Sequence, residues 1–415
     1  MRLIILLLIV FSYLNGTSQI QQSGMTLDEA EKLFLKNNLF LLAEQYNISA
    51  KQALIIQAKA YPNPSFNADI NIYDPQHNKA FHVDTGGQKS FQVQQLILLG
   101  GKRKIEIDIA KQNKILAESE FSELLRNLKM QLNNSFYTLH EELIVIQNHE
   151  TQLKILDTII TAYEAQTVKG NLPLKDVIRL KSVYIKINNY KSELALSGSE
   201  EQKKLQLLLQ MNQGIQPIIN DADYQKFIEL KPLNDLQTLA LANRPDLKIA
   251  DQNALIAALN LKLQKRMAIP DVAINGSYDQ RGGAFRNQVN GGITMPLPVW
   301  DRNRGNIKAA SFDKQSMDLY VKEKKLEVEL DIQQAWQNMF RTIAEFNKIK
   351  ILFNDEFKQV NKGENDNFLK HNISILEFVD FVESYNESLA DYERIKAQLA
   401  ISAAQINYVT STKVY

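Results

Sequence analysis

The chain has 415 residues, enough for roughly two or three domains, and its 48 Lys+Arg nearly cancel 47 Asp+Glu. Such balance removes any electrostatic reason to expect nucleic acid as a partner. Cysteine is absent, which excludes disulfides, thiolate metal sites, a cysteine nucleophile and a lipid carried on cysteine.

Residues 1–18 read as a secretory signal peptide. Arg2 supplies the positive charge, Leu3 to Leu14 is an almost unbroken apolar run, and Gly16-Thr17-Ser18 offers small residues for cleavage before Gln19. That run is too short for a helical membrane span. No other apolar run of transmembrane-helix length follows, so any membrane segment has to be built of strands.

A helix is expected from about Leu27 to Ala60. Then polar Ser65, Asn67, Asp69 and Asn71 alternate with apolar Phe66, Ala68, Ile70 and Ile72. A turn-rich loop, Asp74 to Lys89, leads to a partner strand at Phe91 to Leu98. Alternation over such a length suits a transmembrane strand and a half-buried soluble one alike. His77 and His82, near Asp74 and Asp84, are residue types that bind zinc or copper. Their loose spacing reads as a solvated polar loop, and no metal site is assigned.

From Lys102 to Lys169 there is neither proline nor glycine. At 1.5 Å per residue this stretch makes a helix of roughly 100 Å, longer than a globular domain needs. Leu125, Leu128, Leu132, Phe136, Leu139 and Leu143 advance by threes and fours, the spacing of a coiled-coil seam. Gly170-Asn171-Leu172-Pro173 breaks the helix, and a return helix runs to about Met211. Residues 213–234 are a less regular linker. The order then recurs: a helix from about Leu236 to Ala268, strands at Asp271–Asp279 and Val289–Leu297, and an unbroken stretch from Asn306 to Lys362. A break at His371-Asn372 and a return helix to about Val409 complete it.

The chain is therefore a tandem repeat, 26–212 and 235–412, with β-hairpins at 64–98 and 271–298 and helical tips near 170 and 371. A shift of 206 places Asn37 on Asn243 and Pro64 on Pro270; a shift of 201 places Arg103 on Arg304 and Gly170 on His371. Four strands cannot close a barrel, and open edges are not tolerated in lipid. Strands in a membrane thus require several chains, and three would supply twelve strands. The expected fold class is mainly α with long antiparallel helical hairpins; if the strands lie in a membrane, the hairpins form an α-barrel and the four strands per chain join a shared trimeric β-barrel.

Several segments resemble the TolC family of trimeric outer-membrane efflux ducts. They are Leu27-Asp28-Glu29-Ala30 with Lys36-Asn37-Asn38, Ala242-Asn243-Arg244-Pro245-Asp246-Leu247, and Pro62-Asn63-Pro64-Ser65. Gln95 to Arg103 and Pro296 to Gly305 are similar to the CzcC-like branch, which serves heavy-metal pumps. The resemblance implies a passive homotrimeric duct in the outer membrane, reaching into the periplasm, with an equatorial band formed partly by the linker. It also implies a periplasmic adaptor and an inner-membrane pump of the resistance-nodulation-division class as partners, and no cofactor.

By the same resemblance, Gly170, Asn171, Leu172, His371 and Asn372 are adaptor-contacting tips. Asp176, Glu377 and Asp380 are acids lining the periplasmic constriction, where threefold symmetry makes carboxylate rings. Read without it, they are solvated helix charges. Arg103 and Arg304 are expected at the barrel–helix junction. His371 stands where the family has glycine, a position at which Asn372 would share the strain. No catalytic constellation is present, so an enzyme is not expected. The competing readings are a duct for drugs or secreted proteins, and a periplasmic coiled-coil scaffold.

Overall fold

The computed structural model describes residues 22–282, 284–353 and 355–415. The expected signal peptide and Gly283 of the second hairpin turn lie outside them. The elements run β1 (Gln22–Met25), α1 (Leu27–Asn37), α2 (Leu39–Lys59), β2 (Ser65–Ile70), β3 (Tyr73–Asp74), β4 (Lys79–Ala80), β5 (Gln88–Ile97), α3 (Lys102–Val168) and α4 (Leu174–Leu209). They continue β6 (Gly214–Pro217), α5 (Asp221–Tyr224), α6 (Leu233–Asn243), α7 (Pro245–Met267), β7 (Val272–Arg281), β8 (Phe285–Thr294), α8 (Arg304–Leu352), α9 (Asp355–Leu369) and α10 (Ile375–Thr410). Among the described residues, no helix is long and apolar enough to cross a membrane.

The chain divides into two compact units. One holds residues up to Leu42, Glu123–Arg244 and Glu327–Tyr415; the other holds Ala43–Ser122 and Pro245–Leu326. The second unit carries the large sheet. Its order is β2-β5-β7-β8, so the two hairpins join into one antiparallel sheet through β5 and β7. The register sorts most of its side chains by polarity, with Lys89, Gln95 and Gln280 as polar exceptions on the apolar face and Leu96 as an apolar one on the other. Ala68, Phe91, Tyr278 and Val289 form one row across all four strands; Phe66, Val93, Gly276 and Gly291 form the next on the same face. Rows on the opposite face are Ser65, Gln94, Asn275 and Gly292; Asn67, Gln92, Ser277 and Asn290; Asp69, Ser90, Asp279 and Gln288. The apolar face is open: Val289 is 79% exposed, Ile293 75% and Phe66 65%. Soluble sheets bury that face.

Two helices expected to be continuous are each broken once, at equivalent points. α1 ends at Asn38 (φ −63°, ψ 117°) and α6 at Arg244 (φ −59°, ψ 121°). In the second repeat Pro245 forces the turn, because the residue before proline is pushed out of the helical region. In the first repeat a side chain does it. Buried Asn38 accepts from Leu41 N–H (3.1 Å) and donates to the Leu208 carbonyl (3.0 Å), capping α2 while tying it to α4. The stretch from Asn306 to Lys362 is likewise interrupted, between α8 and α9. No proline or glycine marks that break. Phe353 sits there with its ring 4.3 Å from Tyr392 and 4.5 Å from Phe357.

The structure also adds short strands that were not expected. β1 and β6 pair in parallel, and β3 pairs with β4 inside the loop between the first strands. Two to four residues are too few to show a period. In the first unit, the linker is anchored by side chains. Lys396 Nζ reaches Asp221 (2.9 Å) and Glu393 (3.0 Å), Trp336 Nε1 donates to the Lys231 carbonyl (2.9 Å), and His140 Nδ1 meets the Pro217 carbonyl (3.0 Å).

Near these contacts, burial, then the neighbouring Glu142 carboxylate, pushes the Glu141 carboxyl up to about 7. A raised folded-state value favours the protonated acid. Its contribution is therefore complete below the ordinary value of 4.5 and is lost as pH rises through about 7. Glu141→Gln removes that dependence. The variant is expected to melt above the wild type at pH 8 and level with it near pH 4.5, as read by thermal denaturation at both pH values.

Candidate functional site at the helical tips

The two helical hairpins share one apolar core. Leu156 and Ile159 of α3, Leu180 of α4, Phe368 of α9, and Phe378 and Val382 of α10 are its fully buried members. Phe368 stacks on Phe378 at 4.0 Å and on Tyr163 at 5.6 Å. Both turns are thus held against the same packed layer.

The turns are chemically alike. Gly170 N–H donates to the Thr167 carbonyl (2.9 Å) and Asn171 N–H to Gln166 (2.9 Å); His371 N–H donates to Phe368 (3.0 Å) and Asn372 N–H to Asn367 (2.9 Å). Each is a Schellman closure with its left-handed residue after the helix. That residue is Gly170 at φ 77° and His371 at φ 59°. Asn372 does not share the strain, contrary to expectation. The paired hydrogen bonds fix the left-handed position at the residue preceding it, whatever its side chain.

Behind each turn, Asp176 and Glu377 occupy the same third helical position. Ser374 caps α10: Glu377 N–H donates to its Oγ (3.3 Å), and its own N–H donates to Glu377 Oε2 (2.8 Å). This backbone hydrogen bond, then the hydroxyl, holds the Glu377 carboxyl below its usual range. Pro173 has no N–H to give, so Asp176 makes no such cap. Burial, then the Asp176 carboxylate, pushes the Tyr163 phenol up. Asp380 lies three residues beyond Glu377 and is exposed. The equivalent place in the first hairpin holds Arg179. Lys186 Nζ pairs with Glu383 (3.5 Å), linking α4 to α10. The gate candidates therefore gather with the tip residues, whereas Arg103 and Arg304 belong to the other unit.

There, Arg103 Nη2 donates to the Lys59 carbonyl and its guanidinium lies 3.8 Å over the Tyr61 ring. Arg304 is exposed at the start of α8. Sequence reasoning missed the neighbours of both. Lys102 is buried, with Nζ 2.8 Å from Asp271 and 2.6 Å from the Ile269 carbonyl; Asp271 also accepts from Leu99 N–H (2.8 Å). Asn303, at φ 58°, donates to the Gln264 carbonyl (2.8 Å). Neither partner is close in sequence, so no local pattern announced them.

The loop is largely solvated, as expected, except at His82 and Gly87. The His82 side chain is 2% exposed, and Asp74, His77 and His82 converge. The β3–β4 ladder and the chain reversal at Gly86-Gly87 fold the loop over His82. Asp74, held by His82 and then His77, is well below the ordinary carboxylate range.

No family model matches the chain. Two curated relatives do. The cobalt-zinc-cadmium resistance protein CzcC of Cupriavidus metallidurans is 24% identical over 297 residues, covering 69% of this chain and 66% of the relative. The nickel-cobalt-cadmium resistance protein NccC of Alcaligenes xylosoxydans xylosoxydans is 21% identical, covering 65% and 60%. The matches thus span 60–66% of those relatives' lengths. The solved structure of CusC, described as undergoing transmembrane channel formation, superposes with a TM-score of 0.74 at 14% identity, over 92% of this chain and 91% of that one. The chain shares the fold of that solved structure, and its sequence is similar to two heavy-metal resistance proteins, as the resemblance to the heavy-metal branch implied.

Two substitutions separate turn chemistry from side-chain chemistry. Gly170→Ala is expected to cost about 1 kcal/mol, because the turn demands a left-handed residue. His371→Gly is expected to be neutral or to stabilise by up to ~1 kcal/mol. At the junction, Lys102→Ala leaves Asp271 without its buried partner and is expected to cost about 3 kcal/mol. Denaturant titration of the detergent-solubilised protein reads all three.

Proposed function

We propose that this chain is the outer-membrane channel subunit of a tripartite heavy-metal efflux system, acting as a passive duct. One observation carries the reading: a four-stranded sheet with one face mostly polar and the other mostly apolar and open. β5, β7 and β8 are ten residues each, the length of a tilted membrane strand. An apolar exterior against lipid and a polar lumen give this partition.

The assembly follows from the sheet's ends. β2 and β8 are its edges. Strand direction alternates from β2 to β8, so β8 of one copy would pair antiparallel with β2 of the next. Three copies close a barrel of twelve strands, within the range such barrels occupy. The helices support the same symmetry. Phe312, Leu319 and Leu326 recur every seventh residue along α8 and are 57–64% exposed in the single chain. Burial against neighbouring copies removes that surface from water.

In this assembly the tips face the adaptor and pump, with Gly170, Asn171, Leu172, His371 and Asn372 as contacts. Asp176 and Glu377 form acidic rings, while Asp380 alternates with Arg179, so its ring is partly neutralised. The cargo proposal, divalent metal cations, rests on CzcC and NccC. Transport through such a duct needs no bond made or broken, so an enzymatic role is not proposed.

Size measurement in detergent should give a trimer, and reconstitution in planar bilayers a conducting pore. A monomer without conductance would sink the reading. Glu377→Gln with Asp176→Asn is expected to lower cation-over-anion selectivity several-fold; unchanged selectivity removes these acids from the gate. Deletion of the gene should sensitise cells to zinc, cobalt or cadmium. Altered drug tolerance with unchanged metal tolerance would move the cargo to drugs.

A further inference from the structure

We infer that the loop between β2 and β5 contains a binding site for a zinc-class divalent cation, formed by His77, His82 and Asp74 and supported by Asp84. The site itself does not depend on the channel reading; only its address at the outer mouth of the duct does.

The donor set is already assembled. Asp74 Oδ2 lies 2.8 Å from His77 Nδ1 and 2.6 Å from His82 Nδ1. The three ligand atoms lie within 4.8 Å of one another. A zinc ion bonded to all three at its usual lengths needs donors roughly 3.3 Å apart, a small opening of the present cluster. Two imidazoles and one carboxylate suit zinc, cobalt or nickel. Calcium and magnesium prefer oxygen cages. With three protein ligands the fourth position stays open to water, and His77, 56% exposed, lies on that open side.

The surroundings hold these groups in place. Asp74 Oδ1 accepts from the N–H groups of Gln76 (2.9 Å) and His77 (3.3 Å), which leaves Oδ2 for the rings. Asp74 pairs with Lys79 across the β3–β4 ladder. His82 Nε2 meets Asp84 Oδ1 at 3.0 Å. A carboxylate on the far nitrogen fixes the tautomer that presents Nδ1 to a metal. Asp84 is itself fixed by Gly86 N–H (2.9 Å) and Lys79 Nζ (3.4 Å). A Cβ on Gly87 would stand 1.8 Å from the His82 carbonyl oxygen, so the loop closes over this histidine only with glycine there. Two imidazole Nδ1 atoms meeting on one carboxylate oxygen are the donor arrangement that a cation of this class takes.

The test uses the full chain in detergent, stripped with EDTA and titrated with zinc chloride by calorimetry. One zinc per chain is expected, with affinity in the micromolar range or tighter. His77→Ala, at an exposed position, should weaken it at least tenfold. His77→Ala with His82→Ala should abolish it. Asp84→Asn should cost 10–100-fold, the usual effect of removing a supporting carboxylate. Where the double variant melts lower without metal, His77→Ala alone decides, and its unchanged affinity overturns the site. Zinc binding that survives the double variant but disappears in Glu377→Gln with Asp380→Asn overturns it as well. A protein that binds zinc here yet forms no pore would refute the channel and leave this site standing.

Discussion

An unpaired strand edge is the constraint on which the rest of this structure depends. β2 and β8 each present a row of backbone donors and acceptors that no described residue of the chain satisfies. In water such an edge is a nuisance; in hydrocarbon each unmet group costs several kcal/mol. With the apolar face of the sheet turned outward as well, a single copy is an incomplete object in either solvent. In the proposed trimer one operation would answer both problems, because the rotation that pairs β8 with β2 would also bring neighbouring copies against the exposed apolar positions of α8.

The tandem repeat solves each local problem twice, and not always with the same residue. The paired helix stops use a capping asparagine in one half and a residue before proline in the other. The tips are closed by the same hydrogen bonds, with glycine at one left-handed position and histidine at the other. Proline removes the capping box behind the first tip, whereas serine builds it behind the second. Backbone geometry is thus shared while surface chemistry differs. In a trimer the ring of tips would alternate between two kinds of surface, giving an adaptor six positions but only three of each kind.

Much of this was legible in the residues. The absence of proline and glycine from Lys102 to Lys169 announced α3, which runs Lys102–Val168. Alternation in the strands placed polar and apolar residues on opposite faces before any pairing was known, since side chains in a strand alternate by necessity. The break at Phe353 was not legible, because neither proline nor glycine marks it. Nor was the pairing of β5 with β7, which joins hairpins some 180 residues apart. The loop at Asp74–Lys89 misled most. Its composition is that of a solvated turn, and the burial of His82 within it follows from folded contacts that no local pattern announced.

Periodicity, breakers and the repeat, read from the chain itself, determined where the long strands and long helices lie, and that four strands alone do not close a barrel. They did so because side-chain direction follows directly from backbone period. Tertiary structure alone decided which polar groups meet: Lys102 with Asp271, Asn38 with the Leu208 carbonyl, and Asp74 with two imidazoles. Those meetings depend on closing loops and packing helices from distant parts of the sequence, and no local period encodes where two such segments will touch.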